Sequence, residues 1–443
     1  MAAVAELTSA EPTASSAPVA VARPTSARVL SAFTAGQAVN VRRHLDALRD
    51  FTRAEFGTGI ARPSEGHIQA VNMLLARLRR PLEAAVSDVE RISLASRRRG
   101  GDRELERLLT QKSRAHDWVR ATERVWDFYF ELFGQRQGAY GEWLFSCDRI
   151  ALDCYQHVFM HLGAARSIPS PPPFSYMRTG FSPATYRRNI PLRKLGRQLN
   201  PFPLVQLPYH RLVNPWTMGA IMHEVSHNLH NELNLQDAVP AAIVRSVRAA
   251  GASAAVARVW GRWNREIFGD MLGCLLGGEA FVASLMDVIG RSRDQALGYQ
   301  PGGVHPTPYL RTFLSTELLR RMGFGDTADA YERAWRRLYP APPADDFPRG
   351  LLRTSPECIR ATVDAVCFTS FEALGNRSLR QVIVFEPRHQ SMIDEAAARL
   401  AKGIDPGVVP ERFLIGAVRV AVDRRLAAPD ALMRNFYLEL SRR

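Results

Sequence analysis

The ten residues from Ile221 to His230, written IMHEVSHNLH, constrain this chain more than any other stretch. Side chains four residues apart stack on one face of a helix, so the imidazoles of His223 and His227 can share one metal ion while Glu224 reaches the water beside it. Met218, Ile221, Met222, Val225 and Leu229 supply the apolar side chains that would bury such a helix. Asn214 before Pro215 predicts its start, as an N-cap with proline in the first helical position, and Asn231 to Asn234 predicts its exit.

A catalytic zinc takes three protein ligands and keeps a further position open for water or substrate. The extended arrangement HExxHxxGxxH needs glycine at 230 and histidine at 233; the chain has His230 and Leu233, which excludes it. The remaining route is a glutamate from a second helix. Trp263 to Gly273, WNREIFGDMLG, offers Glu266 as that ligand and Asp270, one turn on, to accept the outer N–H of a ligating histidine. Gly269, Gly273 and Gly277 form a small-residue face on the same helix, expected to point away from Glu266 and Asp270 and to let this helix approach the first one closely.

With these residues in place, the chain resembles the gluzincin metallopeptidases, whose pattern is HExxH followed by ExxxD. The resemblance implies a zincin-like core in which His223, His227 and Glu266 bind Zn2+, Asp270 orients a histidine and Glu224 is the base. VHPTPYLRTFL is similar to an element of the CAAX prenyl protease and heat-shock membrane protease branch, a His-Pro pair followed by an arginine, here His305, Pro306 and Arg311. His305 or Tyr309 is then expected to donate a hydrogen bond to a developing oxyanion, and Arg311 to anchor the surroundings of the metal or a substrate carboxylate. The likeness covers residues 200 to 320. Its membrane-embedded relatives differ from this chain, which has no run of about 18 uninterrupted apolar residues. The nearest, Ile267 to Gly290, contains Asp270, Glu279 and Asp287 and predicts a buried helix.

The rest of the composition narrows the class. With 46% hydrophobic and 23% charged residues, the 443-residue chain is expected to be soluble and globular, with no transmembrane segment. Five cysteines without a CxxC pair argue against a disulfide framework and for a reducing, cytoplasmic setting. The net charge of +14 rests on arginine, since Lys112, Lys194 and Lys402 are the only lysines. Because the arginines are scattered and no nucleic-acid module frames them, nucleic acid is not the expected partner; a protein or peptide substrate is.

Along the chain, residues 1–28 predict a disordered Ala/Pro/Ser/Thr tail. Residues 29–162 predict an N-terminal helical domain of about four helices, Ser31 to Phe56, Ser64 to Arg98 with a break near Pro81, Gly101 to Gly134, and Tyr140 to Leu162. Asp153, His157 and His161 recur at helical spacing within it, and their aromatic neighbours favour a packed helix over a second metal site. Residues 163–325 would be the zincin-like catalytic core and 326–443 a C-terminal helical region. In the proline-rich stretch from Ser167 to Pro215, Phe202 to Leu207 reads as an edge strand to which a peptide could add, or as a connecting loop. Gln381 to Phe385 is the other strand candidate. The fold class expected is mainly α with a small β component. The function expected is zinc-dependent hydrolysis of peptide bonds, by an endopeptidase rather than an exopeptidase; the competing expectation is a non-catalytic helical interaction protein with a structural or vestigial metal site.

Overall fold

The computed structural model describes residues 25–99, 101–163, 167–180, 182–342 and 347–443, so most of the stretch read as a tail lies outside the described residues. The first helix, Ser26–Ala47, begins inside the end of that stretch, where the Thr25 side chain accepts a hydrogen bond from the Arg28 backbone N–H. The fold is mainly helical with one small sheet. The chain divides into two compact units, Met1–Arg49 with Arg79–Arg120, and Asp50–Leu78 with Ala121–Arg443. Within the smaller, a two-pronged Arg42–Glu90 ion pair and the Ser93 hydroxyl donating to the Thr34 carbonyl tie the first helix to the 79–99 segment.

The larger unit is built around two helices, Gly219–Glu232, which carries the His-Glu-x-x-His pattern, and Asn264–Ile289. They pack against each other over most of their lengths, with Gly141–Leu162 against the first and Pro308–Arg321 and Phe413–Asp423 against the second. By length and composition Asn264–Ile289 could cross a membrane, but 78% of its most apolar window is buried inside the protein. That burial fits the core helix expected from its embedded carboxylates. The helix bends at Gly278, whose φ of 57° and ψ of −138° suit glycine alone, and where a Cβ would stand 2.2 Å from the Phe385 ring.

Four local readings are corrected. Asn214 does not cap the helix: its amide donates back to the His210 carbonyl, Pro215–Thr217 makes a 3-10 turn, and the α-helix opens at Gly219. The helix Glu65–Arg99 runs through Pro81 unbroken. Gln381 to Phe385 forms no strand, because a Ser378–Gln381 capping box starts the short helix Leu379–Val382 there. Finally, β1 (Phe174–Met177), β2 (Ala184–Tyr186) and β3 (Leu204–Leu207) form a sheet in the order β1-β3-β2, so the strand read at 202–207 is central. Pro203 and Pro208 flank β3 and leave its ladder intact, parallel to β1 and antiparallel to β2. The short edge is therefore β2. It lies on the helix Gly219–Glu232, where the Asn228 amide donates to the Thr185 hydroxyl at 2.7 Å and Arg188 pairs with Glu232 at 3.1 Å.

Candidate metal centre

Helical periodicity puts His223 and His227 on the same face of Gly219–Glu232, and Glu266 meets them from the first turn of Asn264–Ile289. The His223 and His227 Nε2 atoms are 3.1 Å apart; the Glu266 oxygens lie 3.4 Å from the first and 3.5 Å from the second. Two ligands held about 2.0–2.1 Å from a tetrahedral zinc ion are separated by about 3.4 Å. The three separations fit a single ion, and two imidazoles with one carboxylate are a donor set that zinc favours.

Behind His223, the Nδ1 atom is 3.0 Å from an oxygen of the fully buried Asp270, which leaves Nε2 facing the metal position. Arg311 holds that aspartate in turn, its Nε and Nη2 each donating to one oxygen at 2.7 Å, and Nη2 lies 3.7 Å from Glu266. Burial alone would raise the Asp270 and Glu266 carboxyls. The Arg311 charge outweighs it at Asp270, and the His223 contact outweighs it at Glu266, so both are held below the usual carboxylate range. Burial also opposes a charge on His223, but the Asp270 and Glu266 carboxylates overcome this and hold it up to about 10, whereas burial and the His223 charge push His227 down to about 3.

Glu224 points into the same cleft. Burial pushes its carboxyl up to about 7, against the opposing pull of His223, where a carboxylate can exchange a proton near neutral pH. The cleft has a volume of about 570 Å³, with Thr185 of β2 and Arg187 just beyond its end along one wall.

The structure brings together His223, Glu224, His227, Glu266, Asp270, His305 and Arg311. His305, on the loop before Pro308–Arg321 and 65% exposed, reaches Glu266 with its Nε2 at 3.4 Å. Tyr309 is not among them. Two residues before Arg311 on the same helix, it points to a different side, packs on Phe313 at 4.9 Å and lies in the apolar core. Arg311 is placed as the anchor of Asp270.

The glycine face meets the first helix as expected at Gly269, against the His223 ring, and at Gly277, against Met222. Its angle is corrected: Gly269 follows Glu266 by three residues and so shares the metal side of the helix. The other histidine pattern is occupied by Arg412, which pairs with Asp153 at 2.9 Å and donates to His157 Nδ1 at 3.1 Å. The five cysteines are buried and free. Sequence reasoning missed Arg187, Arg265 and His230 in the cleft wall. Only their nearness in sequence to β2, Glu266 and His227 could have drawn attention to them.

Comparison with protein-family models, with curated proteins and with solved structures finds no match to this chain.

Proposed function

We propose that the chain is a zinc metallopeptidase with a zincin-like core, acting on peptide bonds from a cytoplasmic location. The observation that carries the reading is the convergence of His223, His227 and Glu266 at separations suited to one zinc ion, with Glu224 in the same cleft. Zinc bound there supplies Lewis acidity, polarising a carbonyl and acidifying water. Glu224 takes a proton from the attacking water and delivers it to the leaving amine, a cycle served by a carboxyl that burial has moved toward neutrality. Asp270 fixes the ring of His223 and Arg311 fixes Asp270, so the ligand geometry is set before substrate arrives. His305 stands at the mouth, where its ring can donate to the oxygen of the carbonyl under attack. The β2 edge beside the cleft offers main-chain groups to an extended peptide.

The test pairs metal analysis with hydrolysis. Purified protein is expected to hold about one zinc per chain and to cut an unfolded protein such as casein. Glu224→Gln should keep the zinc and lose cutting by about 10²–10⁴-fold. Full cutting by Glu224→Gln, or a wild type that binds no zinc, would overturn the proposal.

A further inference from the structure

The two ends of the cleft differ in character. Helices Gly219–Glu232 and Asn264–Ile289 run antiparallel along it, since Gly219 meets Ser284 at one end while His227 meets Glu266 nearer the other. Beyond the metal position in one direction the lining is apolar, with Ala220, Phe281, Leu285 and Val288. In the other direction it is basic.

There, one helical turn past His227, lies His230, flanked by Arg187 from the end of β2 and Arg265 from the residue before Glu266. Neither arginine has an ion-pair partner among the described residues. The neighbouring arginine behaves differently: Arg188 spends its charge on Glu232 at 3.1 Å and on the Ser170 and Pro171 carbonyls. Among the described residues, the carboxylates lining the cleft are Glu224 and Glu266, both assigned to the metal position. Two like charges, Arg187 half-buried and Arg265 exposed at the rim, therefore stand near each other without a counter-charge, and burial followed by Arg265 pushes the Arg187 guanidinium below its ordinary value. His230, its ring lying 4.3 Å from that of Phe268, keeps Nε2 buried and without a hydrogen-bond partner.

We propose that this end of the cleft is an anion-recognising subsite, so that substrates place a carboxylate between Arg187 and Arg265 and an apolar side chain on the opposite side of the bond that is cut. The inference rests on the metallopeptidase reading for the identity of the substrate as a peptide. Planar guanidinium groups bind carboxylates with paired, charge-assisted hydrogen bonds, and the β2 edge, which ends one residue before Arg187, would align the peptide toward them. The carboxylate can come from an Asp or Glu side chain or from the chain terminus.

The experiment uses the full-length, zinc-loaded Glu224→Gln protein, immobilised, to select from a synthetic peptide library in which each Asp or Glu peptide has an Asn or Gln counterpart and each is made with a free and an amidated terminus. Acidic peptides should be enriched about tenfold or more, equivalent to about 1.4 kcal/mol. Enrichment that follows the side chain in amidated peptides assigns the carboxylate to the side chain; enrichment that follows the free terminus assigns it there. The enrichment should vanish in the added Arg187→Ala/Arg265→Ala background and shift to Lys and Arg peptides with Arg187→Glu/Arg265→Glu, an inversion that a merely structural role would not produce. Equal recovery of acid and amide peptides, or a preference that survives both replacements, overturns the subsite. Digestion of the same library by wild type separates the two ideas: selection by charge without cutting sinks the metallopeptidase reading, whereas Glu224-dependent cutting without acid preference sinks the subsite alone.

Discussion

Arg311 grips Asp270 with both arms of its guanidinium, each at 2.7 Å, across two helices that meet beneath the metal position. Asp270 has no exposed surface and Arg311 is 9% exposed, so neither charge has water to fall back on. Removing one partner leaves the other a buried charge with only its remaining contact, Asp270 with His223 at 3.0 Å or Arg311 with Glu266 at 3.7 Å, which costs up to about 3–5 kcal/mol. Arg311→Met should therefore lower the urea-unfolding stability of the zinc-free protein by about that amount, and Arg311→Met/Asp270→Asn should recover a good part of it. In the zinc-loaded protein, Asp270→Asn should weaken zinc binding by about 10–100-fold, measured by competition with a chelator. Unchanged zinc affinity would remove Asp270 from its orienting role.

A second prediction concerns the closeness of the two helices. A Cβ on Gly269 would stand 2.6 Å from Cε1 and 2.8 Å from Nδ1 of His223, and the ring cannot retreat without leaving Asp270 or the metal position. Gly269→Ala should cost about 1–3 kcal/mol of stability and weaken zinc binding together. Gly36, in the helix Ser26–Ala47 with nothing within 4 Å of where a methyl group would stand, supplies the contrast. There the same replacement should stabilise by about 0.5–1 kcal/mol through helix propensity. Calorimetric unfolding of both variants decides whether contact or propensity governs Gly269.

The candidate cluster was legible because its information is local. His223, Glu224 and His227 need only the helical period, and Glu266 and Asp270 need it once more on a second helix. What joins them was not legible. Arg311 stood out as a residue, but its bond to Asp270 exists only because two helices 41 residues apart pack at that point. Tyr309 shows the complementary error: nearness in sequence to His305 and Arg311 suggested the cleft, and a rotation of two residues along a helix took it into the core. The strands β1 and β2, four and three residues long amid prolines, carry no alternation to read, and their register comes from pairing with β3. Arg187 and Arg265 were two arginines among many until the fold put them on one wall.

A third prediction is a pH dependence of stability. His67 is buried, with Nδ1 2.7 Å from the Ser64 hydroxyl and Nε2 3.0 Å from the Pro172 carbonyl, an acceptor that requires the Nε2 proton. Burial pushes its pKa down to about 4 from 6.5. Between these values the unfolded chain binds the extra proton and the folded one does not, so stability rises with pH across that window. The contribution is fully present above pH 6.5 and is lost as the pH falls through 6.5 toward 4, up to about 3 kcal/mol. Urea titrations at pH 4.5 and 7 should give a smaller difference for His67→Gln than for wild type. The His67 ring proton should titrate near pH 4 by NMR, and titration near 6.5 would remove the effect.

The fourth prediction separates an open metal site from a closed one. His305 Nε2 is 3.4 Å from Glu266, near enough that the ring could be either a fourth ligand, closing the site as structural zinc requires, or a donor to substrate beside an open position. Its 65% exposure and place on a loop favour the donor, because a closing ligand is held firmly and Glu266, on the buried helix, is only 13% exposed. His305→Ala should then keep about one zinc per chain while kcat falls by about 10²-fold, the scale of one lost oxyanion donor. Glu266→Ala should behave in the opposite way and lose the zinc itself, since two histidines alone make an incomplete set. Metal content by atomic absorption and turnover measured on the same preparations give the answer. If His305→Ala loses zinc as readily as Glu266→Ala, the site is four-coordinate and closed, and catalysis at Glu224 has no place to occur.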